Sequence, residues 1–497
     1  MHRILTALLM AAASFAAHAA GPQEASPPLS HAASSDQHAE TIEIRAVVVD
    51  AAGAPVEGAV VVTSAGGQGV TDHTGAARFN VSLDPSTDSL HITAAAVIRG
   101  ANHVGNVRLD TLNSTTSIDA GVITLAAGAD CEPAWIPTFG GRAGVIGNIF
   151  ALAIFDDGSG PALYAGGYFT TAGGVEASRI AKWDGVSWSQ LGSGINSSVL
   201  ALTVFDDGSG PALYAGGSFT TAGGVTVNHI AKWDGAVWSP LGSGMSGGFG
   251  HSSEVHALTV FDDGTGGGPA LYAGGNFTTA GGVSASRIAK WNGAVWSSLG
   301  DGVGGSSIGW VRALTVFDDG SGGGPALYAG GSFTTAGGVS ASRIAKWDGA
   351  TWSPLGSGMN GSVRALTVFD DGSGAGQALY AGGLFSTASG VSANRIAKWD
   401  GATWSPLGSG MNGSIRALTV FDDGSGAGQA LYAGGGFSTA GGVSANRIAK
   451  WDGASWSPQL GSGINSSVLA LTVFDDGSGP ALYAGGQFTT AGGVEAN

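Results

Sequence analysis

The chain has 497 residues, 89 of them glycine, with a formal net charge of −16 and 11% charged side chains. A typical soluble protein is about 25% charged, but 43% hydrophobic residues and 14 tryptophans argue against disorder. Residues 1–127 and 128–497 each carry more acidic than basic side chains. This balance excludes non-specific binding to nucleic acid or to an anionic membrane.

The first 20 residues, "MHRILTALLMAAASFAAHAA", have a basic start, an apolar run and a small-residue end. That pattern predicts a secretory signal peptide. No later apolar segment approaches the roughly 20 residues that span a bilayer, so we expect a secreted or cell-surface protein without membrane insertion. Residues 21–40 are rich in Pro, Ser and Ala and indicate a linker. The single cysteine, Cys131, is expected to be a small buried side chain, with pairing to another chain as the alternative.

Residues 41–127 contain short β-rich runs separated by turn residues, which predicts a small antiparallel β-sandwich. Gly53-Ala54-Pro55 and the stretch from Asp72 to Gly75 are predicted turns. The runs "VVVDAAGAPVEGAVVV", "GVTDHTGAARFNV" and "AGVITL" resemble the carboxypeptidase regulatory-like family. This resemblance implies a transthyretin-like sandwich that acts as a spacer or accessory domain.

Residues 128–497 are a repeat array marked by the phenylalanine of "FDDG" at Phe155, Phe205, Phe261, Phe317, Phe369, Phe421 and Phe474. The intervals run from 50 to 56 residues, a period typical of propeller blades. Four strands are predicted in each unit, exemplified by "RALTVFDD", "QALYAGGLF", "NRIAKWDG" and "ATWSPLG". In the tryptophan-bearing pair of strands, Trp399 and Trp404 are expected to fill the blade packing and Asp400-Gly401 to form the turn.

The units resemble the kelch and galactose-oxidase type of propeller. The resemblance lies in the double glycine that ends the second strand, as at Gly382-Gly383, and in the aromatic residue of the third, Trp399. "AWIPTFGG" at 134–141 resembles an isolated fourth strand, and the last unit stops at "GGVEAN" where "RIAKWDG" is due. We therefore expect a seven-bladed β-propeller with an incomplete last blade. We expect the given chain to be a fragment, and a gap in that blade is the alternative.

The aspartates of the "FDD" and "WDG" words are expected to crowd one face of the propeller. "DDGSGPALYAGG" resembles the calcium loops of integrin-type propellers, but the later positions are Gly, Ser and Pro. An Asx turn explains Asp-Asp-Gly, so calcium is the minor alternative.

"WDGATW" is similar to the sialidase Asp-box, a motif that itself forms a turn. A copper site would need paired Tyr and His ligands, whereas seven of the eight tyrosines share one strand position and are expected to be core. We expect no metal, no cofactor and no catalytic residue set.

Function is expected where the repeats differ. The predicted loops 246–256 and 303–310 carry His251, Glu254, His256 and Trp310, and the same rim should hold Arg312, Arg364 and Arg416. A non-enzymatic binding or scaffold protein for a glycan or a surface protein is the first hypothesis. An extracellular carbohydrate-active enzyme, with Glu254 and His256 in acid-base roles and an exposed Trp310 stacked on a sugar, is the second. A purely structural surface protein is the third.

Overall fold

The computed structural model describes residues 40–63, 68–83, 90–98, 101–109, 117–127, 144–248, 252–305, 309–457, 463–476, 479–492 and 494–495. The chain divides into two compact units, Met1–Ala129 and Asp130–Asn497. The predicted signal peptide, the linker up to residue 39, Cys131, the segment 134–141 and His251 lie outside the described residues. Within the described ranges, no helix has the length and apolar character that crossing a membrane requires.

The described residues of the first unit form eight strands in two sheets. They are β1 (Glu40–Val49), β2 (Val60–Thr63), β3 (Gln68–Val70), β4 (Ala76–Leu83), β5 (Leu90–Ile98), β6 (Ala101–Leu109), β7 (Ser117–Thr124) and β8 (Ala126–Ala127). One sheet has the order β4-β1-β7, and the other has the order β3-β2-β5-β6-β8. The alternating side chains of β1, from Ile42 to Val48, pack with Val61 and Ile92 in one buried core.

The prediction of a purely antiparallel sandwich was wrong for the first sheet, because β1 pairs with β7 in parallel. The chain passes through the strands of the second sheet before it returns, and such a crossover lets β7 run in the same direction as β1. Both predicted turns are confirmed. Asp50 Oδ1 accepts the N–H groups of Ala52 and Ala54 at 2.9 Å, and the Gly75 N–H donates to the Asp72 carbonyl at 2.9 Å.

The second unit consists of seven repeats, which are numbered here in chain order. Repeat 1 contains β9 (Val145–Asp156), β10 (Pro161–Ala172), β11 (Val175–Glu176), β12 (Ile180–Trp183) and β13 (Trp188–Gln190). Repeat 2 contains β14 (Val199–Asp206), β15 (Pro211–Gly217), β16 (Thr221–Ala222), β17 (Val225–Thr226), β18 (Ile230–Trp233) and β19 (Trp238–Pro240). Repeat 3 contains β20 (Met245–Ser246), β21 (Glu254–Phe261), β22 (Ala270–Asn276), β23 (Thr279–Ala280), β24 (Val283–Ser284), β25 (Ile288–Trp291) and β26 (Trp296–Ser298).

The remaining four repeats follow the same order of strands. Repeat 4 contains β27 (Val303–Gly304), β28 (Val311–Phe317), β29 (Ala326–Gly331), β30 (Thr335–Ala336), β31 (Val339–Ser340), β32 (Ile344–Trp347) and β33 (Trp352–Pro354). Repeat 5 contains β34 (Val363–Phe369), β35 (Ala378–Gly383), β36 (Thr387–Ala388), β37 (Val391–Ser392), β38 (Ile396–Trp399) and β39 (Trp404–Pro406). Repeat 6 contains β40 (Ile415–Phe421), β41 (Ala430–Gly435), β42 (Thr439–Ala440), β43 (Val443–Ser444), β44 (Ile448–Trp451) and β45 (Trp456–Ser457). Repeat 7 contains β46 (Val468–Asp475), β47 (Pro480–Gly486), β48 (Thr490–Ala491) and β49 (Val494–Glu495).

Each of repeats 1 to 6 forms a sheet of four main strands, as in β14-β15-β18-β19. All pairs between main strands are antiparallel, so the predicted four-stranded unit is confirmed. Among the described residues of repeat 7, β46 pairs with β47 and the short β48 pairs with β49. A two-residue hairpin between the second and third main strands, such as β16 with β17, was not predicted. The second unit is therefore an all-β array of repeated antiparallel sheets, which is consistent with the blades of a propeller.

The hydrophobic cores lie between consecutive repeats. Phe155 and Tyr164 of repeat 1 pack with Val199, Leu213 and Trp233 of repeat 2, and the same set recurs at the following interfaces. The repeated tyrosines of repeats 1 to 6 are at most 1% exposed, as expected of core side chains. The apolar faces of each sheet are therefore buried by its neighbours.

The first strands of consecutive repeats contact each other in order, and β46 of repeat 7 also contacts β9 of repeat 1. Phe474 and Tyr483 share a core with Leu163, Trp183 and Trp188. An open apolar cleft lies at this contact. The core at the next interface also includes Ile180 and Leu191 of repeat 1, and the described residues of repeat 7 contain no counterpart of either.

Candidate functional site: an arginine cluster at seven strand bulges

A β-bulge interrupts the first strand of every repeat at the same place. In repeat 4, Val311 pairs with Gly331 and Ala313 with Gly330, so Arg312 is left out of the ladder. The seven bulge residues are Phe150, Leu200, His256, Arg312, Arg364, Arg416 and Leu469. Bulges redirect a side chain away from the alternation of a regular strand. All seven are partly or fully exposed, whereas the residues on either side of Arg312, Val311 and Ala313, are buried.

Three of the predicted site residues, Arg312, Arg364 and Arg416, occupy consecutive bulges and are close enough to repel one another. Burial lowers the pKa of all three guanidinium groups, and the charge of Arg416 lowers the pKa of Arg312 further. The pKa of Arg364 falls to about 10 through burial and the charges of Arg416 and Arg312. The structure therefore brings together three arginines that sequence alone could place only on one rim.

The arginine cluster has little acidic compensation. Among the described residues, none of the three arginines has a carboxylate within ion-pair distance. Among the described carboxylates, only Glu254 acts electrostatically on Arg312. The Nε of Arg364 is buried without a hydrogen-bond partner in the described part of the chain. A buried donor left unsatisfied costs about 1–3 kcal/mol, and the Nε of Arg395, outside the cluster, is in the same state.

The other three predicted site residues form a stack beside Arg312. Glu254 Oε2 lies 3.0 Å from His256 Nε2, and the His256 ring stacks on Trp310 with centroids 5.3 Å apart and an interplanar angle of 15°. The Arg312 guanidinium lies 4.5 Å from the centre of the Trp310 ring. Burial acts to raise the pKa of Glu254, but the contact with His256 and the nearby cations lower it. Glu254 is thus held as a carboxylate at one end of the arginine cluster.

Two expectations about these residues need correction. Glu254 and His256 lie within strand β21 and not in the loop before it, because the ladder with β22 extends to Asn276. Trp310 is half-buried and not exposed, since His256 and Arg312 both approach its ring. A sugar ring therefore cannot take Trp310 as a free stacking platform.

The repeated aspartates belong to turns and ion pairs. Asp318 Oδ1 accepts the Gly320 N–H at 3.0 Å, as an Asx turn requires. Asp319 Oδ2 accepts the Tyr328 hydroxyl at 2.9 Å and lies 2.6 Å from Lys346 Nζ. The same triad of tyrosine, aspartate and lysine occurs in repeats 1 to 6. Among the described residues, no three His, Cys, Asp or Glu side chains are grouped in a way that would hold a metal ion.

The paired tryptophans also have structural roles, as predicted. The rings of Trp399 and Trp404 lie 5.2 Å apart and are 8% and 5% exposed. Asp400 Oδ1 accepts the N–H groups of Ala402 and Thr403 at 2.8 and 2.7 Å. Trp404 Nε1 donates to the carbonyl of Leu355 in the preceding repeat at 3.3 Å, so the pair also joins neighbouring sheets.

The sequence analysis missed Phe150, Leu200 and Leu469 as counterparts of the arginines. A signal was present in the sequence: one variable position stands between a valine or isoleucine and the word Ala-Leu in each first strand. No protein-family model matches the chain, and no curated protein matches it. The resemblances to the kelch and carboxypeptidase regulatory-like families therefore stay predictions.

Proposed function

We propose that this chain is an exported, non-enzymatic binding protein in which a closed, kelch-like propeller presents the arginine cluster to an anionic glycan or surface protein. The observation that carries the proposal is the set of three adjacent arginines without a carboxylate partner among the described residues. Guanidinium groups form paired, charge-assisted hydrogen bonds with carboxylate, sulfate and phosphate. Closure of the propeller is supported by the contact between β46 and β9.

A second candidate is supported by the Glu254–His256 contact of 3.0 Å. A carboxylate in contact with a histidine is suited to proton transfer. The stacking of His256 on Trp310, however, places the imidazole in a packed cluster. The binding function therefore accounts for more of the arrangement than the enzymatic one.

The proposal is tested by retention of the full chain on immobilised acidic and neutral polysaccharides and on a surface-protein extract. Changing Arg312, Arg364 and Arg416 together to Ala should abolish retention of the anionic partners. A matched control changes Arg343, Arg395 and Arg447 to Ala. These three already donate to backbone carbonyls of Phe333, Phe385 and Phe437, so this variant loses the same charge but should retain the partners.

Unchanged retention by the first variant, or equal loss by both, would contradict the assignment of the arginine cluster. Circular dichroism of each variant shows whether its fold is intact. Turnover of a retained polysaccharide that disappears in His256→Ala would support the enzymatic candidate instead. Absence of any retention would favour a purely structural protein.

A further inference from the structure

The seven bulge residues differ in chemistry in an ordered way. Arg312, Arg364 and Arg416 occupy the bulges of β28, β34 and β40. Leu469, Phe150 and Leu200 occupy those of β46, β9 and β14. Since each of these strands contacts the next, and β46 contacts β9, the cationic residues form one consecutive set and the apolar residues another. His256 of β21 lies between the two sets.

The apolar bulge residues are not explained by core packing. All three residues, Phe150, Leu200 and Leu469, are partly exposed. None of them belongs to a buried core between repeats. Their neighbours in the strand, such as Val199 and Ala201, are buried at 0% and 7% exposure. At the bulge, a large apolar side chain therefore lies outside the core in three consecutive repeats, as an arginine does in three others.

We infer that the ligand is amphiphilic: an oxyanion group bound by Arg312, Arg364 and Arg416 and bonded to an apolar group that packs against Leu469, Phe150 and Leu200. This inference rests on the proposed binding function of the arginine cluster and specifies the chemistry of the group that is bound, whether that group is free or carried by a glycan or a protein. A site for a uniformly charged polyanion would be expected to carry cations at all seven equivalent positions, whereas only three of them carry arginine. A neutral sugar would leave the three arginines unsatisfied. Only a ligand with one charged end and one apolar end uses both sets of side chains.

The chemistry of each half follows from general principles. Two or three guanidinium groups bind a carboxylate, sulfate ester or phosphate ester through paired N–H donors. An apolar group packed against Leu469, Phe150 and Leu200 increases the affinity in proportion to the apolar area that is removed from water. A headgroup alone should therefore bind weakly, and an alkyl chain attached to it should strengthen binding.

Isothermal titration calorimetry of the full chain with sodium octanoate, and with acetate as the headgroup alone, tests this inference. Octanoate should bind at least about tenfold more tightly than acetate, since each buried methylene adds affinity. Octyl sulfate and octyl phosphate show which oxyanion is preferred. Octyl glucoside, which has the chain without the charge, should bind at least about tenfold more weakly than octanoate.

Two variants separate the two halves of the site. Arg364→Gln should weaken octanoate and acetate alike, because it removes the shared headgroup contact. Leu200→Ser should weaken octanoate by about fivefold or more and leave acetate unchanged. Val225→Ser is the matched control: Val225 is 41% exposed in the hairpin of the same repeat, and its replacement should leave both affinities unchanged. Thermal melting confirms that the variants fold.

Equal affinity for octanoate and acetate, or octanoate binding unaffected by Leu200→Ser, overturns the amphiphilic ligand. In that case a loss of both anions in Arg364→Gln still supports an anion-binding protein. If Arg364→Gln leaves both anions bound as in the parent, the assignment of the arginine cluster fails as well. The two ideas therefore fail through different results.

Discussion

Gly401 shows how one residue couples neighbouring repeats. It turns the chain after Asp400 with a φ of +100°, a conformation that side chains other than glycine rarely adopt. A Cβ at this position would lie 2.6 Å from the carbonyl oxygen of Asp319 in the preceding repeat. The corresponding glycines of repeats 1 to 6 meet an aspartate of the adjacent repeat in the same way. Glycine is thus required here for its conformation and for the close approach of two backbones.

We expect Gly401→Ala to lower the free energy of unfolding by about 2–4 kcal/mol, because strain and a steric clash act together. Gly374→Ala is the control, since Gly374 also has a positive φ of +84° but would meet nothing within 4 Å. It should cost about 1 kcal/mol through strain alone. Urea denaturation of both variants measures the difference, and equal losses would show that the contact with Asp319 does not matter.

The backbone at the start of the third main strand was not predictable from the sequence. Arg179, His229, Arg287, Arg343, Arg395 and Arg447 all have φ between 65° and 74°. Bulky side chains rarely adopt this region, and nothing in the word "RIAKW" indicates it. In four of these residues, a guanidinium nitrogen donates to the carbonyl of the phenylalanine ten residues earlier. A tertiary contact therefore accompanies the local strain.

At the scale of the element, the triad of tyrosine, aspartate and lysine binds three strands of one sheet together. Asp371 follows the first strand, Tyr380 lies in the second and Lys398 in the third. Tyr380 and Lys398 are directly opposite each other in the ladder. Burial acts to raise the pKa of Asp371, but hydrogen bonds from Lys398 and Ser373 outweigh it and lower the pKa to about 2.

These carboxylates predict a loss of stability in acid. The pKa is about 2 in the folded state for Asp157, Asp207, Asp263, Asp371 and Asp423 and about 3.9 for an unfolded aspartate. Each folded aspartate therefore adds stability that is fully present above about pH 4 and is lost as the pH falls towards 2. Urea midpoints should be constant near neutrality and fall steeply between pH 4 and pH 2.

Asp371→Asn should reduce that acid dependence, because it removes one of the depressed carboxylates. Asp370→Asn is the control in the same turn. Asp370 accepts the Gly372 N–H, which an asparagine also does, and it forms no ion pair among the described side chains. An acid profile of Asp371→Asn identical to that of the parent would show that the triad does not account for the acid sensitivity.

The positions of the strands could be predicted from the sequence more accurately than the strands and side chains with which they pair. Turn residues and alternating apolar positions placed the four main strands of each repeat, because those signals are local. The ion pair of Lys346 had no local signal in the sequence, because Asp319 lies 27 residues earlier in the chain and the two meet only when their strands pair. The bulges were missed for the same reason, since a skipped residue is defined only by its partner strand. The parallel pairing of β1 with β7 likewise depends on the path of the chain between them.

At the scale of the whole molecule, one close contact between repeat 7 and repeat 1 matches a contact between repeats that are adjacent in the chain. A Cβ on Gly485 would lie 2.5 Å from the side chain of Ile149, and one on Gly434 would lie 2.5 Å from that of Val468. The first pair joins repeats 7 and 1, and the second joins repeats 6 and 7. At these two positions the first and last repeats approach each other as closely as two that are adjacent in the chain, although an open apolar cleft also lies between them.

We expect Gly485→Ala and Gly434→Ala to lower the thermal unfolding midpoint by similar amounts, because each overpacks an equivalent interface at a cost of about 1–3 kcal/mol. Differential scanning calorimetry compares the two variants with the parent. A nearly neutral Gly485→Ala beside a destabilising Gly434→Ala would show that the repeats form an open array in solution.

The position of the bulge residues outside the ladder has an evolutionary consequence. Replacing Leu200 or Arg364 removes no ladder hydrogen bond and no member of a buried core, so the fold constrains the choice of amino acid there only weakly. The surrounding strand, by contrast, tolerates little change. Point mutations at Leu200 or Arg364 can therefore change what the protein binds at a smaller cost to folding than mutations of the buried residues beside them.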